Sequence, residues 1–311
     1  MDKIVTFTLN PTIDKSSSID HVMPEKKLYC DKPKYEPGGG GINVSRAINK
    51  LGGSSLLLYT SGGLAGQRLD DLLAQESLNK KPIYIENPTR ENLIIFEKTT
   101  NLQYRFGMPG PKISEKETKK IIETITNLKP FPDYLVISGS IPEGVADDIY
   151  ANISKIAKSK GAKVIVDVSG PPLKKAIQEG VYLIKPNMGE FQQLIGRELK
   201  KEEEIKKEAQ GLVKNKCCQA VVISLGAGGA LFVTGKTTKF MRPPTVPIKS
   251  KVGAGDSMVG GIVLSLAEGN SLEKSVLYGI AAGSSAVMTP GTELCTKEDT
   301  DRLFEKLLEE L

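Results

Sequence analysis

The sequence predicts an α/β protein of three layers, with a mostly parallel, doubly wound sheet between helices and a small β-sheet lid. Three observations carry this reading. From residue 38 onward, apolar runs of strand length alternate with segments of helical spacing, the pattern of a doubly wound sheet. The strand-like runs are continuous rather than alternating, as befits a sheet covered on both faces. Residues 15–36 and 92–107 break the rhythm and read as short strands, turning at Pro24 and Thr100-Asn101. The chain therefore divides into an α/β core of residues 1–14, 38–87 and 111–311 and a lid of residues 15–37 and 88–110. A lid sheet with one face uncovered needs a partner, either the active-site opening or a second subunit.

Taken in order, "MDKIVTFTLNPTID" reads as a first strand rather than a signal peptide, because it lacks a long apolar stretch and a small-residue cleavage site. "SSLLLYT" (54–60) is the next core strand, and "GQRLDDLLAQES" (66–77) is helical. "DYLVISGS" (133–140), "AKVIVDVSG" (162–170), "VYLIKPN" (181–187) and "QAVVISLG" (219–226) are short and rich in β-branched residues. Helices are expected between them at 145–160, 171–179 and 201–215. The run "KEEEIKKEAQGLVKNK" (201–216) reads as a solvated helix face with acidic residues ahead of basic ones.

The 311 residues carry 42 basic and 37 acidic side chains, a mixed surface of net charge +5. Together with the absence of Trp and of any basic-aromatic stripe, that balance argues against nucleic acid and suits small acidic substrates. No run approaches the ~18 apolar residues of a membrane span. The four cysteines, Cys30, Cys217, Cys218 and Cys295, form no CxxC pattern and fit reduced thiols in a cytoplasmic protein. The two Asn-x-Ser sequons at Asn43 and Asn152 are then chance matches.

Glycine-rich turns carry the chemistry. Near Gly235-Lys236 the Walker A glycine is missing, since Ala230 stands where it should be; the pair reads as a hairpin turn. "EPGGGGINVSRAINKLGG" (36–53) fails the dinucleotide fingerprint: Val44 holds the third-glycine position and the next strand ends without an acid. What remains is a glycine run opening a helix, whose free amides favour electronegative ligand groups, with Asn43 in the first turn able to donate and accept. In "SKVGAGDSMVGGIVLSL" (250–266), Met258, Val259, Ile262, Val263 and Leu266 form an apolar helical stripe that begins just after Gly255. The amides of Gly253, Ala254 and Gly255 are then available to a phosphate, and the helix N-terminus keeps Asp256 ionised. Because phosphoryl transfer is loose, a weak carboxylate need only orient a hydroxyl and accept its proton late. In "IKPNMGEF" (184–191), Asn187 and Glu190 share a face past a strand end, suited equally to hydrated Mg²⁺ and to a helix cap. Lys27, Arg90 and Arg105 lie in or beside the lid, where cations could grip a substrate phosphate.

"EPGGGGINVSRAI", "VISGSIPEGV", "KPNMGE", "VVISLGAGGALF" and "VGAGDSMVGG" stand in the order and spacing of the ribokinase-like (PfkB) sugar kinases, which the chain resembles end to end. The glycine run lacks the lysine, as in GKGINV, of the fructose-1-phosphate and tagatose-6-phosphate kinases, and the lid carries "QYRFGMPG". Both features resemble the branch acting on fructose 6-phosphate.

The resemblance implies a ribokinase-like fold and ATP-dependent phosphorylation of a phosphosugar hydroxymethyl, O1 of fructose 6-phosphate. Tagatose 6-phosphate and fructose 1-phosphate are the alternatives, and a non-catalytic sugar-phosphate sensor is a remote one. It implies Asp256 as base, and Gly253, Ala254 and Gly255 as the anion hole. Asp14, Gly39, Gly40 and Asn43 would hold the sugar; Lys27, Arg90, Arg105 and Ser138 would hold its 6-phosphate. Lys185, Asn187, Ser224, Gly226, Gly228 and Gly229 would contact ATP, with Ile280 and Ser284 at the adenine end. Glu190 would act through Mg²⁺ and its waters, and Ser250, Val252, Ala286, Thr289 and Gly291 match a K⁺ loop. Relatives dimerise through their lids, so a homodimer is expected, with Lys27 serving the neighbouring site. Two residues depart from the pattern: Lys251 replaces a small hydroxyl residue, and Glu293 replaces a base.

Overall fold

The computed structural model of the chain describes residues 3–291 and 293–309. Its first strand, β1 (Ile4–Thr8), is buried along its whole length. After β2 (Thr12–Ile19) and β3 (Lys34–Gly38) come α1 (Gly40–Lys50), β4 (Leu56–Gly62), α2 (Gly63–Ala74) and β5 (Asn79–Ile85). A hairpin of β6 (Arg90–Glu97) and β7 (Leu102–Phe106) precedes α3 (Glu115–Thr126). Alternation then resumes with β8 (Tyr134–Ser138), α4 (Ile149–Ser159), β9 (Lys163–Asp167), α5 (Gly170–Ala176), β10 (Val181–Ile184), α6 (Met188–Ile195), α7 (Glu202–Lys214) and β11 (Cys218–Ser224). The hairpin β12 (Ala230–Thr234) and β13 (Thr238–Met241) turns at Gly235-Lys236, and α8 (Ala254–Ala267), α9 (Leu272–Val287) and α10 (Lys297–Glu309) complete the chain.

Nine strands form one sheet in the order β13-β12-β11-β10-β9-β8-β1-β4-β5, parallel from β11 to β5 and antiparallel at β12 and β13. The continuous apolar runs have a direct cause. Successive side chains of a strand point to opposite faces, and here both faces are covered. Leu135 and Ile137 of β8 and Val221 and Ile223 of β11 enter one core. Tyr134, Val136, Ala220 and Val222, from the same strands, enter the other. The three layers follow from that division.

Four strands stand apart as a second sheet in the order β3-β2-β6-β7. The segment 15–36 holds two antiparallel strands, β2 and β3, as read from the sequence, with bounds that differ. One strand of eight residues begins already at Thr12, carries Asp14 into the lid sheet, and is followed by the long exposed stretch 20–33. The apolar stripe expected after Gly255 is also more than a stripe. Every residue from Ser257 to Leu266 is buried, because α8 lies between α1 and α9 rather than on a surface. All four cysteines are unpaired, and among the described residues no helix is long and apolar enough to cross a membrane.

Candidate active site

Strand order reverses at β1: the chain moves outward to β4 and β5, then returns to place β8 on the other side of β1. Ligands of open α/β sheets bind outside the carboxyl ends of strands at such a point. Here the start of α1 is pressed against the end of β8. A methyl group on Gly40 would run into the Ser138 hydroxyl and stand 3.0 Å from the Gly139 amide nitrogen. Gly40→Ala should therefore displace α1 and cost about 1–3 kcal/mol, the usual penalty of overpacking. Chemical denaturation would read the loss, and a parent-like midpoint would show that the crevice has room to spare.

The start of α8 faces this crevice. Its N-cap, Gly253, has φ 76°, a left-handed conformation that glycine adopts without strain. No side chain caps the helix, and the first intrahelical bond is Ser257 N–H to the Gly253 carbonyl, 2.8 Å. By contrast, α3, α6 and α9 are capped by Ser114, Asn187 and Ser271. Like α1, α2, α4 and α5, α8 therefore leaves its first amides, here those of Ala254 and Gly255, without a side-chain cap, and the helix dipole favours an anion there. Helix α9 closes in behind: a methyl on Gly283 would lie 3.1 Å from the Ala254 carbonyl oxygen. This places Ile280 and Ser284, both buried, on the helix that backs the turn. The Ser284 hydroxyl donates to the Ile280 carbonyl.

Asp256, half-buried in the first turn, accepts a 2.8 Å hydrogen bond from Asn43 Nδ2. The other amide atom, Asn43 Oδ1, is buried without a partner in the protein. A helix N-terminus by itself would lower the acid's pKa. Burial wins instead and, with the Asp167 carboxylate beside it, pushes Asp256 up to about 6. The Asn43 hydrogen bond and the cations Lys185 and Arg105 pull the other way.

Behind Asp256 lies an ion pair that sequence reading did not anticipate. Lys185, 4% exposed, follows β10 and points its Nζ at Asp167 Oδ1, 3.2 Å away at the end of β9. Burial alone would lower the lysine's pKa, but Asp167 holds it above its ordinary value. Ser138, 1% exposed at the end of β8, lies beside the Asp167 carboxylate, where its hydroxyl works against the rise in pKa that burial causes. An acid closing the apolar run "VIVD" was the available signal, since a strand's carboxyl end is where function gathers.

On the lid side, Asp14 of β2 lies opposite Glu36 of β3 and Asn92 of β6. Asn92 Nδ2 donates to Asp14 Oδ1 at 2.9 Å; burial raises the carboxyl's pKa, against the pull of Asn92, Arg105 and Arg90. Arg90 spans the base of the lid, donating to the carbonyls of Asn10 at 3.1 Å and Met108 at 3.2 Å. Its Nε and the Asn10 Oδ1 atom are buried with no partner in the protein. Buried polar atoms of this kind are costly unless a ligand or water meets them. Asn10 and Asn92 were not singled out from sequence; a strand-end Asn and a mid-strand Asn carry no spacing signal. Arg105 is exposed on β7 yet influences both Asp14 and Asp256, so its charge reaches the crevice from above. Lys27 is exposed in the stretch 20–33 with its ammonium over the Tyr29 ring, and it makes no ion pair among the described residues.

Asn187 and Glu190 form a reciprocal capping box on α6. Asn187 Oδ1 accepts from the Glu190 amide at 2.9 Å, and Glu190 Oε2 accepts from the Asn187 amide at 2.8 Å. The helix-cap reading is thus what their contacts display, leaving Glu190 Oε1 available. Asn187 bridges to Ser224 at the end of β11, and the chain then turns tightly through Gly226, Gly228 and Gly229. Below α8, the Ser250 hydroxyl donates to the Gly291 carbonyl at 2.8 Å and accepts from the Val252 amide. Thr289 donates to the Ala286 carbonyl at 2.8 Å. With the Ser250 amide donating to the Val287 carbonyl, these bonds join the segment before α8 to the end of α9 and the turn that follows it. Lys251 is exposed, and nothing in the structure explains it.

The fold and crevice define a phosphoryl-transfer enzyme of the carbohydrate kinase class, and the chain belongs to the pfkB family of carbohydrate kinases, whose family model matches residues 7–299. It is 41% identical over 305 residues to the ATP-dependent 6-phosphofructokinase isozyme 2 of Escherichia coli strain K12, covering 98% of each chain. A crystal structure of Phosphofructokinase-2 from Escherichia coli in complex with potassium superposes with a TM-score of 0.94 at 40% identity, covering 99% of this chain and 100% of that one. The tetrameric inhibited form of the same Escherichia coli protein gives 0.93 at 40% identity with the same coverage. The architecture is thus the ribokinase-like one expected.

Proposed function

We propose that the chain transfers the γ-phosphoryl group of ATP to O1 of fructose 6-phosphate, yielding fructose 1,6-bisphosphate. The observation that carries this is the uncapped glycine turn at the start of α8, set directly beside a carboxylate whose pKa is raised to about 6. A transferring phosphoryl group needs anion donors that do not reorganise, and an acceptor hydroxyl needs a base that is ionised at neutral pH yet not too weak. Above pH ~6 Asp256 is ionised; it orients the hydroxyl and takes its proton as the bond to phosphorus forms. The catalytic rate accordingly falls as pH drops through about 6, where the carboxylate is protonated.

Asn43 fixes one oxygen of that carboxylate and offers Oδ1 to a sugar hydroxyl, beside Gly39, Gly40 and Asp14. Arg90, whose Nε has no protein partner, and Arg105 supply cations for the 6-phosphate. Lys185, Asn187, Ser224 and the Gly226 turn form the nucleotide side, with Ile280 and Ser284 behind the turn. Mg²⁺ fits Glu190 through water, because one carboxylate oxygen remains after capping and hydrated Mg²⁺ takes few protein ligands; when bound it neutralises charge on the phosphates. K⁺ fits the loop of Ser250, Val252, Ala286, Thr289 and Gly291, where it would support the anion turn from below.

A homodimer through the lids accounts for exposed Met23, Tyr29, Phe96, Leu102 and Phe106 in or beside that sheet and would give Lys27 a neighbour's 6-phosphate to meet. The relative described as a tetrameric inhibited form is compatible with pairing of such dimers. The site of action is the cytoplasm, consistent with four unpaired cysteines.

A coupled ADP-release assay across fructose 6-phosphate, tagatose 6-phosphate and fructose 1-phosphate tests the substrate. Fructose 6-phosphate should have the highest kcat/KM. A higher value for either other sugar overturns that choice, and no turnover with any of them overturns the kinase reading.

A further inference from the structure

We propose that Lys34 and Glu293 form a latch that positions the lid over the acceptor pocket, an inference that rests on the kinase reading above. Cross-strand partners in a sheet share a face, and so do residues two apart along a strand. Asp14, Glu36 and Asn92 are such partners; two residues along, Ser16, Lys34 and Ile94 are the next row, with Arg105 opposite Ile94. Lys34 therefore lies on the face of the lid that carries Asp14 and Arg105. Its ammonium is 3.1 Å from Oε1 of Glu36 and 3.9 Å from Oε1 of Glu293, in the segment that joins the cation loop to α10. Among the described residues this is the only ion pair that joins lid to core. It also gives Glu293, which departs from the family pattern, a partner.

The neighbouring residue grips the core from the other face. Tyr35 stacks under the guanidinium of Arg68 from α2, 3.5 Å from the ring centroid, and packs against the cluster of Ile13, Ile42 and Leu69. Strand β3 is thus held on one face by a partly buried stack and on the other by an ion pair whose side chains are 59% and 47% exposed. The first is insensitive to salt; the second is screened by it. Neither Lys34 nor Glu293 contacts Asp256, so the pair acts by holding the Asp14–Glu36 row in place before sugar arrives. Such preorganisation lowers the cost of binding without touching the chemical step.

The test measures steady-state kinetics and backbone hydrogen exchange for Lys34→Met, Glu293→Gln, the double variant and Lys34→Arg. At low ionic strength each of the two single charge removals should raise the KM for fructose 6-phosphate about two- to five-fold, the range of an exposed pair, with kcat unchanged. The double variant should be no worse than the worse single, Lys34→Arg should resemble the parent, and high salt should erase the differences. Exchange of the amides of residues 34–38 in the ligand-free chain should quicken in the same variants. Additive losses, a fall in kcat, or parent-like exchange and KM would overturn the latch. If no phosphosugar is turned over by the parent, the kinase reading fails, while the exchange measurement still decides whether the pair holds the strand.

Discussion

Asp256→Asn should lower kcat on the order of 10²–10⁴-fold, the usual cost of removing a general base, while leaving the chain folded. The substitution keeps the shape and an oxygen able to accept from Asn43 Nδ2, so substrate affinity should change far less than turnover. Stability should hold or rise, for a reason of sign. The carboxyl's ordinary pKa of 3.8 is raised to about 6 in the folded chain, so the fold favours the protonated form. The resulting penalty grows as pH rises through that window and is fully present at pH 7. A neutral Asn removes it. Single-turnover kinetics and thermal melting at pH 7 separate the two effects. Parent-like turnover would remove Asp256 from the chemistry, and a markedly lower melting temperature would make it a structural residue.

Asp167→Asn is expected to damage both the fold and the base. It leaves Lys185 buried without the counter-charge now 3.2 Å away, a situation that typically costs about 3–5 kcal/mol. Adding Lys185→Met should recover much of that stability but not activity, because the double variant lacks the cation on the nucleotide side. The pH profile is the diagnostic readout. Asp167 is the second largest cause, after burial, of the raised Asp256 value, and without it Lys185 pulls on Asp256 unopposed. The acid limb of kcat in the single variant should therefore move to lower pH. An unmoved limb would show that Asp167 supports the fold without setting the base.

The core strands were legible because burial on both faces demands continuous apolar runs; β8, β9 and β10 lie within the stretches so marked, and β11 starts one residue ahead of its own. The two glycine turns could be read because local backbone chemistry leaves few other uses for glycines at a helix start. The pair Asn187 and Glu190 could be placed on one face but not assigned, since capping and metal binding want the same oxygens at the same spacing. Its reciprocal hydrogen bonds exist only once α6 is formed.

By itself, the sequence determined the layered fold and placed an acid beside a glycine turn at a helix start, since each rests on period, propensity or residues adjacent in the chain. Tertiary structure decided what crosses between segments. Asn43 meets Asp256 from 213 residues away, Asp167 meets Lys185 across adjacent strands, and Lys34 meets Glu293 between lid and core. It also raised the pKa of Asp256 to about 6, which leaves the carboxylate ionised at pH 7 as expected. The helix dipole is local and readable from the chain, whereas desolvation depends on what the rest of the protein packs around the carboxylate, and here it is the largest cause of the raised pKa.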